Sequence, residues 1–165
     1  MLVFAAPGAA GVLDQPHAFA ITLLAFASFC LAASGTYFWN DVLDVEADRS
    51  HPTKSNRPIA AGSVSITTGK VMGTVLPTLA LLLAGLTGEW RAVLVVALYM
   101  AITLSYSVIW KHIAVVDLVA IASGFVLRAA MGAVAVDVPM SSWFVLVTTF
   151  GSLFIVTGKR YAEAR

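Results

Sequence analysis

Charge and sulfur are what this chain has least of. Asp, Glu, Lys and Arg make up 12% of its 165 residues, about half the share of a soluble domain at ~25%, so too little polar surface exists to cover a water-facing globule. The single cysteine, Cys30, lies inside an apolar run. That excludes an intramolecular disulfide and a cysteine metal centre, and leaves a packing role. A net charge of +1 gives no basic field for nucleic acid, and the cations stand where membrane topology alone would put them. Nucleic-acid binding is therefore set aside. Residues 1–15 lack a basic n-region and a clear cleavage site, which argues against a signal peptide; they read as the tail of a helix that began upstream.

Apolar length is what the chain has most of. Hydrophobic residues are 59% of the total and mean hydropathy is +0.89. Windows long enough to cross ~30 Å of hydrocarbon run at about residues 17–39, 66–88, 91–110, 114–136 and 142–158. They show no alternation and exceed the ~10 residues of a barrel strand, so each is a helix. The expected fold class is all-α, a multi-pass transmembrane bundle with five complete helices. Arg49, Lys54, Arg57, Lys70, Lys111, Lys159, Arg160 and Arg165 fall on one side of that scheme and Arg91 on the other. Basic residues stay with the cytoplasm when loops are short, which orients the chain in the plasma membrane. Glu89-Trp90 and residues 137–141 become structural outer turns, anchored by Trp90 and Trp143, and His17 sits at the same outer edge.

The densest chemistry is NDVLDVEADRSHPTKSNRPIAAG at residues 40–62. Asp41, Asp44 and Asp48 follow an i, i+3, i+7 spacing, so a helix would put them on one face over roughly 10 Å, with Asn40 leading. Hard oxygen ligands so placed suit Mg²⁺, which takes one or two carboxylates and completes its shell with water and phosphate oxygens. The plain alternative is a solvated helix end. Against it, four acids including Glu46 crowd a helix C-terminus, where the macrodipole favours cations and like charges repel. A divalent ion relieves both. The loop that follows carries Lys54 and Arg57 between Pro52, Pro58 and Gly62, and must turn and re-enter the membrane.

Three further groups are candidates. Tyr106 precedes the turn of Lys111 and His112, which topology alone could also explain. Asp117 and Arg128 share a helix face near Gly124; an arginine in an apolar helix is disfavoured by ~2.5–3.5 kcal/mol on insertion scales, so it needs a buried ion-pair partner or a ligand-filled aqueous cavity. The chain closes on GKRYAEAR, where Lys159, Arg160 and Tyr161 mark a helix end that complements the dipole or binds phosphate.

The NDxxDxxxD run of Asn40 to Asp48, the HPTKxxRPIAAG loop, and the tyrosine-to-lysine turn together resemble the UbiA superfamily of intramembrane prenyltransferases. HPTKxxRPIAAG, WFxLV at 143–147 and GSLFxVxGKRYAE at 151–163 are most similar to its actinobacterial, phosphoribose-transferring branch, and the likeness covers nearly the whole chain. The resemblance implies a nine-helix bundle in which residues 1–165 are one partial domain lacking the first and last helices. It implies a cytoplasmic Mg²⁺-diphosphate site opening on a lipid-filled groove. Ordinary members resemble one another in a second aspartate-rich motif, which here is replaced by Lys159, Arg160, Tyr161 and Glu163. One acidic and one basic wall suit a donor with a Mg²⁺-bound diphosphate and one more phosphate, such as 5-phosphoribosyl diphosphate, with polyprenyl (decaprenyl) phosphate as acceptor and a cell-wall arabinan precursor as product. Asp41, Asp44 and Asp48 would then hold Mg²⁺, Tyr106 and Lys111 would orient the leaving group, and Asn40, Lys54, Arg57, Asp117, Arg128, Lys159, Arg160 and Tyr161 would line the substrate. Transfer of a polyprenyl group from its diphosphate to an aromatic acceptor is the alternative within the family. A transporter with Asp117 and Arg128 along its path is the alternative outside it. Homo-oligomerisation is left open.

Overall fold

A computed structural model describes residues 1–110 and 114–163, with the backbone alone at 110, 114, 115, 117 and 163. Every regular element among them is helical. After a 3₁₀ turn at Leu2–Phe4 come α1 (Ala5–Ala9), α2 (Pro16–Leu43), α3 (Val45–Arg49), α4 (Ile66–Gly85), α5 (Trp90–Ser105), α6 (Ala114–Ala135) and α7 (Ser142–Glu163). Five helical stretches are long and apolar enough to span a bilayer: Pro16–Leu43, Ile66–Gly85, Trp90–Ile109, Leu118–Ala135 and Ser142–Ala162. The chain is thus an integral membrane protein with five candidate crossings among the described residues, the number expected from hydropathy. The first crossing runs four residues further than its apolar window and so carries Asn40 and Asp41 on helix.

Small residues let these helices approach. A methyl group added at Gly35 would collide with the Pro77 ring, and one at Gly73 would fall 2.8 Å from Trp39 Cδ1, so α2 and α4 meet backbone to side chain as membrane helices do. Ser28 Oγ donates to the Ala80 carbonyl 2.7 Å away across the same seam. The main core joins Ala25, Phe29 and Ala32 of α2 to Ala80 and Ala84 of α4, Ala92, Val96 and Tyr99 of α5, and Met131 and Ala135 of α6. Val3 completes it, its carbonyl pressed against Gly132. Residues 2–9 are helical and pack onto α6.

The two ends of the bundle differ. At one, Arg91 donates from Nη2 to Glu89 at 3.1 Å and to Asp137 at 2.7 Å, clasping the two short turns expected on the outer side. At the other lie the acidic turn, the residue 50–65 loop and the last turn of α7.

Candidate functional site

The acidic run is bent, not straight. Helix α2 ends at Leu43, Asp44 takes φ −96° and ψ 5°, and α3 begins at Val45. Hydrogen bonds from Asp44 N–H to Asn40 O at 2.9 Å and from Asp48 N–H to Asp44 O at 2.8 Å carry the chain across the break. Asp44 is consequently the hinge of the turn, while Asp41 and Asp48 converge from its two sides. Both reach the same atom: Arg57 Nη1 donates to Asp41 Oδ1 at 3.2 Å and to Asp48 Oδ2 at 2.8 Å. Among the described residues no three His, Cys, Asp or Glu side chains converge as a ready metal cluster. A guanidinium stands where the acids meet.

The loop is built to bring Arg57 there. Its N–H donates to Lys54 O at 2.9 Å, its carbonyl accepts from Ala61 N–H at 2.8 Å, and Pro58 O accepts from Val64 N–H at 3.0 Å. Ile59, 2% exposed, is driven between Val42 and Val45, over Gly69 of α4, where an added methyl would lie 2.7 Å from Ile59 Cδ1. Gly62, at φ +81°, makes the left-handed turn that other residues resist, and Ser65 then caps α4 by accepting from Thr68 N–H at 3.0 Å. The His51 ring nitrogen Nδ1 accepts from Thr53 N–H at 3.2 Å and tightens the earlier turn, which leaves Lys54 exposed.

Beside this turn is a cavity of about 500 Å³ walled by α2, the loop, α5, α6 and α7. Its cations are Arg57, Arg128, Lys159 and Arg160; its polar groups include Asn40, Thr36, Tyr37, Tyr99, Thr103, Tyr106 and Ser107. No carboxylate is among its described lining. Arg128 stands about 20 Å along α6 from Ala114 at ~1.5 Å per residue. It donates to Gly124 O at 3.0 Å and to Tyr99 Oη at 3.3 Å, with its guanidinium carbon 5.3 to 5.8 Å from the ring centres of Tyr99, Phe29 and Phe125. Three rings fix the fork and provide cation–π attraction without neutralising its charge.

Of the residues singled out by sequence, Asn40, Arg57, Tyr106, Arg128, Lys159 and Arg160 share this cavity, and Asp41 and Asp48 touch it through Arg57. Lys54 and Tyr161 are exposed nearby. Lys111, and the side chain of Asp117, lie outside the described residues. Sequence reasoning missed Thr36, Tyr37, Tyr99, Thr103 and Ser107. The signal was present: Thr36 and Tyr37 sit one turn before Asn40 on its face, and Tyr99, Thr103 and Tyr106 keep the i, i+4, i+7 spacing of one face.

Two convergent carboxylates at a helix-end turn, next to a hydroxyl-rich cavity whose described lining holds four cations, belong to a polytopic helical membrane protein. The chain belongs to the UbiA prenyltransferase family, which matches residues 1–162. It is similar to proteins named decaprenyl-phosphate phosphoribosyltransferase from Mycolicibacterium smegmatis (48% identical), Corynebacterium glutamicum (45%) and Mycobacterium tuberculosis (45%). Each alignment takes in 99% of this chain and 52%, 50% and 55% of the relative, respectively. The chain thus spans about half the length of the curated relatives it matches.

Proposed function

We propose that the protein carrying this chain transfers 5-phosphoribose from 5-phosphoribosyl diphosphate to a polyprenyl phosphate, decaprenyl phosphate being the first candidate, at the cytoplasmic face of the plasma membrane. The observation that carries this reading is the pairing of an acidic turn with a cavity whose described wall holds four cations and no acid. A prenyl diphosphate has one charged group to neutralise. Phosphoribosyl diphosphate has two, one at each end of the sugar, and a phosphorylated acceptor adds a third.

The donor set fits Mg²⁺. Asp41 and Asp48 already aim one oxygen each at a single cationic nitrogen, which matches the one or two carboxylates that Mg²⁺ takes from a protein. Those two residues would hold the ion, with Asp44 between them on the turn. Bound there, Mg²⁺ offsets the negative charge that grows on departing pyrophosphate. Lys159, Arg160 and Arg57 neutralise the phosphates, Arg being suited to two oxygens at once. Tyr106 faces the same space and orients the leaving group together with Lys111. A phosphate oxygen of the lipid attacks the anomeric carbon, and the bond from that carbon to the diphosphate oxygen breaks. An ionised phosphate needs no strong base, so catalysis rests on positioning and electrostatics. Product supply for cell-wall arabinan belongs to the same proposal.

Labelled phosphoribosyl diphosphate with polyprenyl phosphate, run against polyprenyl diphosphate with an aromatic acid, tests it. We expect label in a lipid product from the first pair. Product from the second pair alone would overturn the assignment in favour of prenyl transfer.

A further inference from the structure

Building on that reading, we propose that Arg57 is an exchangeable counter-cation: it holds Asp41 and Asp48 together at rest, yields them to the incoming divalent ion, and turns its guanidinium to the donor's diphosphate. Three observations carry this. One nitrogen lies 3.2 Å from Asp41 Oδ1 and 2.8 Å from Asp48 Oδ2, so it fills the point where the reach of the two carboxylates overlaps, and an ion bound by both excludes it. The Asp48 side chain is 4% exposed, and a carboxylate so buried must keep a charged partner; it can change partners, not go without. The Arg57 side chain is 36% exposed and lines the cavity beside Asn40, Lys159 and Arg160, so its alternative partner, a phosphate, arrives on the side it already faces.

The backbone need not move for this exchange. Ile59 is wedged against Val42 and Val45, and the turn is closed by the bonds from Arg57 to Lys54 and from Ala61 to Arg57. None of these involves the guanidinium. Only side-chain torsions change, and the acidic turn passes from one cation to another while the donor gains a ligand.

The test uses the whole protein in nanodiscs, with Mn²⁺ as a paramagnetic probe and inorganic pyrophosphate as the phosphate probe. Removing the competitor by Arg57→Gln should tighten Mn²⁺ binding without phosphate about tenfold, the scale set by losing one charge-assisted hydrogen-bonded rival. The same change should weaken pyrophosphate binding with metal present about tenfold. Mn²⁺ affinity that is unchanged or lower in Arg57→Gln overturns the exchange. Asp48→Asn separates the layers: if it abolishes Mn²⁺ binding while Arg57→Gln leaves it unaltered, the metal site stands and the exchange falls. If the unmodified protein takes no Mn²⁺ with or without pyrophosphate, both fall. Arg57→Lys keeps the charge and guards against misfolding. The amine it introduces should be acylated several-fold faster once Mn²⁺ is added, as read by mass spectrometry at that position, and an unchanged rate overturns the proposal.

Discussion

Arg128 holds its charge inside an apolar helix, its guanidinium ringed by Tyr99, Phe29 and Phe125 and bonded to the Gly124 carbonyl. Its position in an apolar helix demanded a partner or a cavity; the fold supplies a cavity and a cage of three rings, with Tyr99 as a hydroxyl partner from α5. No pattern within α6 could have named Phe29 or Tyr99, because they come from other helices. Replacing the planar fork by an ammonium removes the stacking and one of the two directed hydrogen bonds. Arg128→Lys is therefore expected to lower phosphoribosyl transfer about tenfold, mainly through KM for the donor, and steady-state kinetics at varied phosphoribosyl diphosphate would check it. Asp48 is more demanding. Asp48→Asn removes a buried charge that faces Arg57 at 2.8 Å and a proposed metal ligand, and kcat should fall by about 10²-fold or more, the loss typical of removing one electrostatic stabiliser. Activity within twofold of the parent would argue against any metal role for the turn.

Between helices, the contacts that matter are those that side-chain volume forbids. The hydropathy windows placed all five crossings, since a 20-residue apolar run has few structures open to it in a bilayer. They did not reveal the α2–α4 seam, which depends on Gly35 meeting Pro77 and Gly73 meeting Trp39. Glycines at 35 and 73 look no different in sequence from Gly85, yet an added methyl at Gly85 meets nothing within 4 Å. Gly35→Ala and Gly73→Ala are each expected to destabilise the bundle by about 1–3 kcal/mol through overpacking. Gly85→Ala should be neutral or favourable by up to ~1 kcal/mol, from helix propensity. Thermal unfolding in one detergent, comparing the three, measures the contrast. The break at Asp44 was likewise invisible to spacing: an i, i+3, i+7 pattern describes a continuous helix, whereas Asp44 at φ −96° and ψ 5° separates α2 from α3.

Across the molecule, charge is sorted by end. Arg91, Glu89 and Asp137 tie the two short turns at one end, while the acidic turn and three of the four cavity cations gather at the opposite end. Exposed ion pairs contribute little, so Asp137→Asn, which removes the charge but tolerates the positive φ of 52° there, should change stability by less than about 1 kcal/mol and leave transfer untouched; a melt and a rate together decide. Orientation is checked with cysteines: Cys30 replaced by Ala, then Ser55→Cys or Met140→Cys added singly, Met140 being exposed in the turn between α6 and α7. A membrane-impermeant maleimide should label the Met140→Cys protein in intact cells and the Ser55→Cys protein only in inverted vesicles, and the reverse pattern would turn the site outward. The guanidinium seated between Asp41 and Asp48 has one last implication, for times of scarcity. Because the acids carry their own replacement charge, stripping divalent ions with a chelator should halt turnover yet leave the melting temperature where it was. A cell recovering from magnesium starvation would then find its enzyme intact, ready to resume without resynthesis.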